Sequence, residues 1–468
     1  MTAGTRVVGT RPAPGSPRPY AFPSVRRTRL ENGLSVASID MPGRPLLAAS
    51  LLITTGAADE PADRAGATVL MARALTEGTR HRSAIEFVEA SERLGASIHA
   101  EAGWDAMSVS VDVPAARLAA ALDLVAEVLA EPSFPDDEVR RLRDERLNDL
   151  LQAQADPRRR AEEAFVETVY ASSSPYRRPS GGSRATVEPL DAEAVRAELA
   201  RLFDPARMTL IVGGDLSGID VAQLAATRFG GWRASTDAVP PGPVDDSAAS
   251  TERRVRVLDR PGSVQTEIRI GHVGVPRRVE GYHALAVMSA ILGGLFNSRL
   301  NRNLREAKGY TYGAAAGFDF RRGRGPFGAR AAVNTDVTVP AIAEIMTELR
   351  RMTDGPVEAA ELRDARDYLV GVFPLRFETA GAVVGALAGL AVHDLPDDEL
   401  GRYRPAIEAI GADDVAAVAR LHVRPDEAAI VLVGDADAFL PALEAADLGP
   451  ISVAREAAAV GEVTDDVD

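Results

Sequence analysis

The chain has 468 residues, no cysteine and a formal net charge of -15. The negative charge argues against a general nucleic-acid binder, because a phosphate backbone is bound by a basic surface. The lack of cysteine excludes disulfides, thiolate metal sites and cysteine nucleophiles. A composition of 46% hydrophobic and 26% charged residues is typical of a globular protein, and the length predicts about two to four domains.

The first 25 residues contain five prolines and no apolar run as long as that of a signal peptide. Residues 1–25 are therefore predicted to be a disordered arm. No later stretch approaches the roughly 18 apolar residues needed to cross a bilayer. We expect a cytoplasmic protein that has no membrane partner.

Residues 26–232 read as a first folded domain in which strands and helices follow one another. The predicted elements are a strand at 48–54, an apolar helix from Gly66, a helix at 83–94, a hairpin at 96–113, a helix at 115–130, a second long helix after it, and a closing strand at 208–215. Hairpin-like strand pairs outnumber strand–helix–strand crossovers. This pattern favours an α+β fold with helices packed on a mainly antiparallel sheet.

Residues 251–450 repeat the same order, which predicts an internal duplication. The second set comprises a strand at 265–272, an apolar helix at 281–292, a helix at 299–308, a hairpin formed by 310–320 and 327–334, a helix at 339–352, and a closing strand at 428–435. Between the two domains, residues 233–250 are rich in Pro, Asp and Ser and are predicted to be a linker. Residues 451–468 are predicted to be a disordered acidic tail.

Several motifs frame this duplicated pattern. They are GAADEPADRAG before the first apolar helix, LTEGT after it, SPYRRPSGG at 174–182, GGLFNSRLNRNLREAKGYTYG at 293–313, and FPLRFET at 373–379. With these motifs in this order, the chain resembles the M16 (pitrilysin/insulinase, mitochondrial-processing-peptidase-like) family. The resemblance is strongest to short members whose subunit is one duplicated pair of domains, and it implies a half-clam that encloses a chamber with a partner.

In active members of that family, the first apolar helix carries His-x-x-Glu-His. Two histidines one turn apart bind Zn²⁺, and the glutamate acts as general base on the metal-bound water. The framing motifs place Val69 at the first histidine, Ala72 at the glutamate and Arg73 at the second histidine, while the downstream acidic ligand falls at about Asp149. The resemblance thus implies that this chain holds no zinc and no other cofactor. Asp149 is expected to be a solvated helix residue.

The second half retains residues that could act on a peptide. The helix that carries Arg305 is predicted to end near Lys308 with Gly309 as its C-cap glycine. A strand is predicted to follow, with Tyr310 and Tyr312 on one face. The resemblance implies that Arg305 binds a substrate carbonyl or carboxylate and that the Tyr312 hydroxyl donates to an oxyanion, with Tyr310 as the alternative to Tyr312.

On residue type alone, Arg305 and Tyr312 could also be ordinary exposed side chains. His99, in the first hairpin, could contact a peptide laid along that sheet edge, or it could be a satisfied surface histidine.

The resemblance implies a heterodimeric peptidase in which this chain is the subunit without zinc and is inactive alone. A homologous partner subunit would carry His-x-x-Glu-His and the zinc, and unfolded or short peptides would bind by strand addition to a sheet edge. The alternatives are a catalytically inert structural subunit, like the core proteins of respiratory complexes that resemble this family, and a peptide-binding homodimer. The sequence leaves the natural peptide and the identity of the partner open.

Overall fold

The computed structural model describes residue 15 and residues 19–455. Twelve strands form two six-stranded sheets in this part of the chain. The strands are β1 (Val25–Arg29), β2 (Ser35–Asp40), β3 (Leu46–Ile53), β4 (Ser97–Ala102), β5 (Met107–Pro114), β6 (Met208–Gly214), β7 (Arg254–Asp259), β8 (Gln265–Val273), β9 (Ala314–Phe318), β10 (Pro326–Asn334), β11 (Ala429–Gly434) and β12 (Ile451–Arg455).

Fifteen α-helices pack on these sheets in the described residues. They are α1 (Ala67–Ala74), α2 (Ala84–Arg93), α3 (Leu118–Ala130), α4 (Asp136–Ala155), α5 (Pro157–Val169), α6 (Arg184–Val187), α7 (Ala192–Leu202), α8 (Val221–Phe229), α9 (Tyr282–Ser289), α10 (Thr338–Asp354), α11 (Ala359–Val372), α12 (Ala380–Val392), α13 (Glu399–Ala409), α14 (Ala412–His422) and α15 (Ala436–Ala445). Two further segments, Ala290–Gly294 and Asn301–Ala307, are π-helical.

The two sheets have the same strand order. The first runs β1-β2-β6-β3-β5-β4 and the second runs β12-β7-β11-β8-β10-β9. Five strands of each sheet correspond in sequence order, and only the outermost position differs: it is filled by the N-terminal β1 in one sheet and by the C-terminal β12 in the other. Most neighbouring strands in each sheet are antiparallel. The predicted α+β fold with two similar halves is confirmed.

The predicted boundaries of the tail and the arm need correction. Ile451–Arg455 form β12, which pairs with β7, so the tail cannot begin at residue 451; residues 456–468 lie outside the described residues. Most of the predicted arm also lies outside them. Within its described part, Tyr20 stacks on Phe377 with ring centroids 6.3 Å apart, and Phe22 contacts the same ring at 5.1 Å.

The two halves exchange helices. Helix α5 of the first half packs on β8 and β11 of the second sheet, while α12 of the second half packs on β3 and β6 of the first. Phe165 and Val169 of α5 share a buried cluster with Val431 and Val433 of β11. The boundary between residues 232 and 251 therefore separates the two repeats in sequence but does not separate two independent cores.

A polar junction closes the contact between the halves. The loop between β9 and β10 carries Arg322, whose backbone N–H donates to Asp105 Oδ2 at 2.8 Å. The other oxygen of Asp105 accepts from the hydroxyl of fully buried Tyr176 at 3.0 Å, and this hydroxyl accepts from Gly323 N at 3.2 Å. The guanidinium of Arg321 lies 4.6 Å from the centre of the Tyr176 ring and 4.9 Å from that of Trp104.

The motif before α1 fixes the start of this helix. Gly66 has φ of 99°, a conformation that side chains other than glycine rarely adopt. Glu60, which is 8% exposed, accepts from the backbone N–H of Gly66 at 2.9 Å and of Thr68 at 2.7 Å. Arg178, from the SPYRRPSGG motif, lies 3.4 Å from the same carboxylate. Burial is the main cause that raises the pKa of Glu60, to about 7.

Gly281 begins the corresponding helix α9 and is also left-handed, with φ of 79°. The two repeats thus start their apolar helices with the same backbone geometry, which supports the duplication.

In residues 19–455, no single helix has both the length and the hydropathy needed to cross a membrane. Only the pair Ala359–Phe377 and Ala380–Val392 reaches these values, jointly, and its two parts are bent by 113°.

We predict that Glu60→Gln changes how stability depends on pH. The folded state keeps a proton on Glu60 that the unfolded chain releases from about pH 4.5 upward. The contribution of this group is therefore full below about pH 4.5 and is lost as the pH rises to about 7, by up to about 3 kcal/mol. Urea unfolding of both proteins between pH 4.5 and 7.5 should show that their difference in unfolding free energy varies over this window. A constant difference would contradict the prediction.

Removing the Tyr176 hydroxyl should weaken the junction between the halves. Tyr176→Phe leaves Asp105 with one partner fewer and Gly323 N–H without its acceptor, at a cost of about 1–3 kcal/mol. Urea denaturation measures this loss. The matched control is Tyr368→Phe, because Tyr368 is 52% exposed, and it should leave the midpoint unchanged.

Candidate functional site

Helix α1 occupies the place that the resemblance assigns to the metal-binding helix. Ala72 is 1% exposed and packs in the first core with Leu70 and Met71. Val69 is half-buried and Arg73 is exposed at the surface of the helix. The position that the resemblance assigns to the general base is thus occupied by a buried methyl group, which can neither accept nor donate a proton.

Arg73 and Asp149 lie close together, although they come from different helices. Arg73 Nη1 is 3.8 Å from Asp149 Oδ2 on α4, with side chains 41% and 44% exposed. Asp149 is partly exposed and pairs with a cation, so it is not the free solvated residue that was expected. The two residues that the resemblance assigns to the second histidine and to the acidic ligand are therefore neighbours in the structure. A long, exposed pair of this kind adds little to stability.

These residues do not fit a metal ion. A guanidinium has no lone pair for a cation, and Val69 and Ala72 offer only hydrocarbon. In the part of the chain that the structure describes, no group of three or more His, Cys, Asp or Glu side chains is arranged to hold a metal.

Arg305 lies on the π-helical segment Asn301–Ala307. This winding is visible in the hydrogen bond from Lys308 N to Asn303 O at 3.0 Å. Gly309 follows with φ of 67°, so the predicted C-cap glycine is confirmed. The Arg305 guanidinium lies 4.1 Å from the centre of the Phe296 ring and 3.5 Å from Glu306, and its side chain is 33% exposed.

The predicted strand that carries both tyrosines on one face is wrong. Strand β9 begins only at Ala314, because the left-handed turn at Gly309 and a hydrogen-bonded turn from Thr311 to Gly313 hold the preceding residues in a loop. Tyr310 is half-buried against the second core. Tyr312 is 95% exposed, so of the two hydroxyls it is the one fully open to a ligand.

Asn301 ties this loop to the helix of Arg305. Its side-chain oxygen accepts from Ala314 N at 2.9 Å, just after the loop, and its amide donates to Leu295 O at 3.1 Å, just before Phe296. The structure therefore fixes Arg305 and Tyr312 on one local frame without a direct contact between them. The sequence analysis missed Phe296 and Asn301; a large aromatic residue inside the GGLFNSRL motif was the available signal for Phe296.

His99 lies on the opposite face of the first sheet from α1. Its neighbours Ile98 and Ala100 pack against the core that contains α1, so the alternating side chain of His99 points away from that core. It lines a cavity of about 610 Å³ between the sheet and α12, together with Gly385 and His393. Burial lowers the pKa of His393.

The edge strands of the described residues are β1 and β4 in the first sheet and β12 and β9 in the second. Each strand ends its sheet in the described residues, with one neighbour only. Helix α1 packs beside β4, and the π-helical segment Ala290–Gly294 packs beside β9. A carbon added at Gly293 would clash with the backbone of Ala316, so this glycine is needed for the close packing of the π-helical segment on β9.

Two family models match the chain in succession. The model for insulinase (peptidase family M16) matches residues 35–179, and the model for the peptidase M16 inactive domain matches residues 189–369. Together they span most of the chain.

Related proteins match over most of their own length. An uncharacterized zinc protease of Streptomyces coelicolor is 25% identical over 408 residues, which is 86% of this chain and 88% of that protein. The non-peptidase homolog YmxG of Helicobacter pylori is 22% identical over 321 residues, 67% of this chain and 72% of that protein.

Solved structures show the same fold. A peptidase M16 inactive domain from Pseudomonas fluorescens superimposes with a TM-score of 0.80 at 23% identity, covering 88% of this chain and 98% of that one. A protease from Helicobacter pylori reaches 0.82 at 19% identity, covering 89% and 100%. These family matches agree with the order of the motifs, the duplicated sheets and the position of α1: the chain belongs to the M16 peptidase family.

Proposed function

We propose that this chain is the subunit without zinc of a two-subunit M16 peptidase, and that it supplies Arg305 and Tyr312 to the metal site of a homologous partner. The partner would carry His-x-x-Glu-His. The observation that carries the proposal is the contrast between two sites: α1 has hydrocarbon and a guanidinium where ligands would stand, whereas Tyr312 stands 95% exposed on a loop tied to the helix of Arg305.

The proposed roles follow from the chemistry of the two side chains. The partner's zinc would activate water and polarise the peptide carbonyl. A phenol hydroxyl that reaches the developing oxyanion can stabilise it by a hydrogen bond. Tyr312 is 95% exposed, so its hydroxyl is accessible to a ligand. Among the described residues, the one ion pair of Arg305 is the 3.5 Å contact with its neighbour Glu306, and a guanidinium has further N–H donors that could bind a substrate carbonyl or carboxylate.

Peptide binding would use the free edge of a sheet. Strand β4 has an unpaired edge in the described residues and lies beside α1, so an extended peptide can add to it by backbone hydrogen bonds. Unfolded or short peptides satisfy this requirement, because the N–H and C=O groups of their backbone are not already paired within a fold. His99 would contribute from the cavity side of the same strand. We place the complex in the cytoplasm as part of this proposal.

The second candidate is a catalytically inert structural or peptide-binding subunit. It is favoured by the Helicobacter pylori relative named as a non-peptidase homolog. The two candidates differ in what Tyr312 and Arg305 do for a partner, and this difference can be measured.

We predict that Tyr312→Phe lowers kcat of the reconstituted heterodimer about 10- to 100-fold, because one oxyanion donor is removed. Cleavage of an unstructured reporter peptide by the chain together with the co-purifying zinc-bearing M16 subunit measures it. The control is Tyr368→Phe, which removes an exposed hydroxyl elsewhere and should leave kcat unchanged. Full activity of a complex that carries both Tyr312→Phe and Arg305→Ala would favour the structural candidate.

Isolated and dialysed, the chain should contain no stoichiometric zinc and should cleave no peptide.

The triple variant Val69→His, Arg73→His and Asp149→Glu should bind zinc, because Arg73 and Asp149 already lie within 3.8 Å of each other and two histidines one turn apart complete a three-ligand set. Elemental analysis of the dialysed proteins measures the stoichiometry. Val69→His alone is the control, and zinc retained by the unmodified chain would contradict the proposal.

A further inference from the structure

We infer that Phe296 is a positioning residue for Arg305: its ring holds the guanidinium in place before a ligand arrives. This inference rests on the proposed function of Arg305. It adds a residue that neither the sequence motif of the pair nor the comparisons assign to the site.

The contact between the two side chains is close and solvent-facing. The Arg305 guanidinium lies 4.1 Å from the centre of the Phe296 ring, well inside the distance at which a cation is attracted to an aromatic face. Phe296 itself is 71% exposed. A phenylalanine this exposed adds little to a hydrophobic core, so its ring is explained by what it contacts and not by burial.

The backbone before Phe296 is held on both sides. Leu295 is buried, its N–H donates to Ala290 O at 3.1 Å at the end of the first π-helical segment, and its carbonyl accepts from Asn301 at 3.1 Å. The N–H of Ser298 donates to the same carbonyl at 3.1 Å. The loop that presents the ring is therefore anchored at the residue that precedes it.

Asn301 extends this anchoring to the tyrosine. The same buried side chain accepts from Ala314 N at 2.9 Å, while Tyr310 N–H donates to Leu304 O at 2.8 Å. The loop with Tyr312 is thus fastened at both ends to the π-helical segment that carries Arg305. The π-helical segment Asn301–Ala307 therefore carries Arg305 and anchors the loops of Phe296 and Tyr312. It fixes their relative positions without a contact between Arg305 and Tyr312.

The Phe296 ring should reduce the conformational entropy that Arg305 loses when it binds a ligand. A free arginine side chain samples many rotamers and loses that freedom when it binds. A ring that already restricts the guanidinium removes part of this loss, as preorganisation generally does. For an exposed cation–π contact, the expected effect on substrate affinity is about two- to fivefold. Because the ring acts through Arg305, this effect should appear in KM and should disappear when Arg305 is absent.

The first measurement uses the isolated full-length chain and needs no partner. The Nε–H signal of Arg305, assigned by its loss in Arg305→Lys, should be shifted upfield in a ¹⁵N-arginine NMR spectrum by the ring current of Phe296. Phe296→Leu should abolish the shift and Phe296→Tyr should keep it. Tyr368→Leu, which removes an exposed ring elsewhere, should leave it unchanged. An Arg305 signal that is the same in Phe296→Leu overturns the inference.

The second measurement is a double-mutant cycle in the reconstituted heterodimer. Phe296→Leu should raise KM about two- to fivefold in the parent chain, Phe296→Tyr should rescue it, and Phe296→Leu should have no further effect on Arg305→Ala. Equal effects with and without Arg305 would show that Phe296 contacts the peptide or the partner directly, which overturns the positioning role. If the NMR shift responds as expected but Arg305→Ala leaves kcat/KM unchanged, the proposed function of Arg305 is what fails.

Discussion

Each sheet is covered on one face by a helix from the other half, and the rest of the structure depends on this packing. Each half supplies its own helices to one face of its sheet, and the other face is covered by α12 or α5 from the opposite half. An apolar sheet face left in water costs roughly 25 cal/mol per Å², so neither repeat completes its core alone. Tyr170 and Tyr176 at the contact are fully buried. The duplicated sequence therefore reads as two domains and packs as one interlocked unit.

This interlocking gives the candidate site a fixed frame. Helix α1 beside β4 packs in the core of the first half, and the segments that carry Phe296, Arg305 and Tyr312 pack on the core of the second. The exchanged helices α5 and α12 join the two halves. A partner subunit would thus meet a preformed surface, and preformed surfaces bind with a smaller loss of conformational freedom. The exposed rings of Phe296 and Tyr312 should have little effect on the free energy of unfolding, since single exposed apolar side chains are common on protein surfaces.

The strands and helices that carry strong periodicity were predictable, and the contacts between repeats were not. The hairpin of the first half is predicted at 96–113 and is formed by β4 and β5, and the helix predicted at 83–94 is formed by α2. The strand predicted from Tyr310 fails because Gly309 and the Thr311–Gly313 turn decide the local path. The exchange of helices leaves no signal in the local sequence, since the apolar face of α5 and that of α12 would look the same whichever sheet each helix covered. The residue types at Val69, Ala72 and Arg73 can be read from the sequence alone, whereas the contact between Phe296 and Arg305 is visible only in the folded structure.

The motifs of this chain divide into those that build the frame and those to which we assign a proposed role in chemistry. Glu60 and Arg178 hold the start of α1 through hydrogen bonds and charge that involve none of the four degenerate positions, which explains how the frame stays intact around a helix without ligands. Tyr312 belongs to the other kind. At 95% exposure it adds almost nothing to packing, so the stability of the fold does not account for a tyrosine there. The loop of Tyr312 is nevertheless tied down by Asn301 and Gly309. The structure thus combines a loop held at both ends with an exposed side chain at its tip, which is the geometry on which the proposed role of Tyr312 rests.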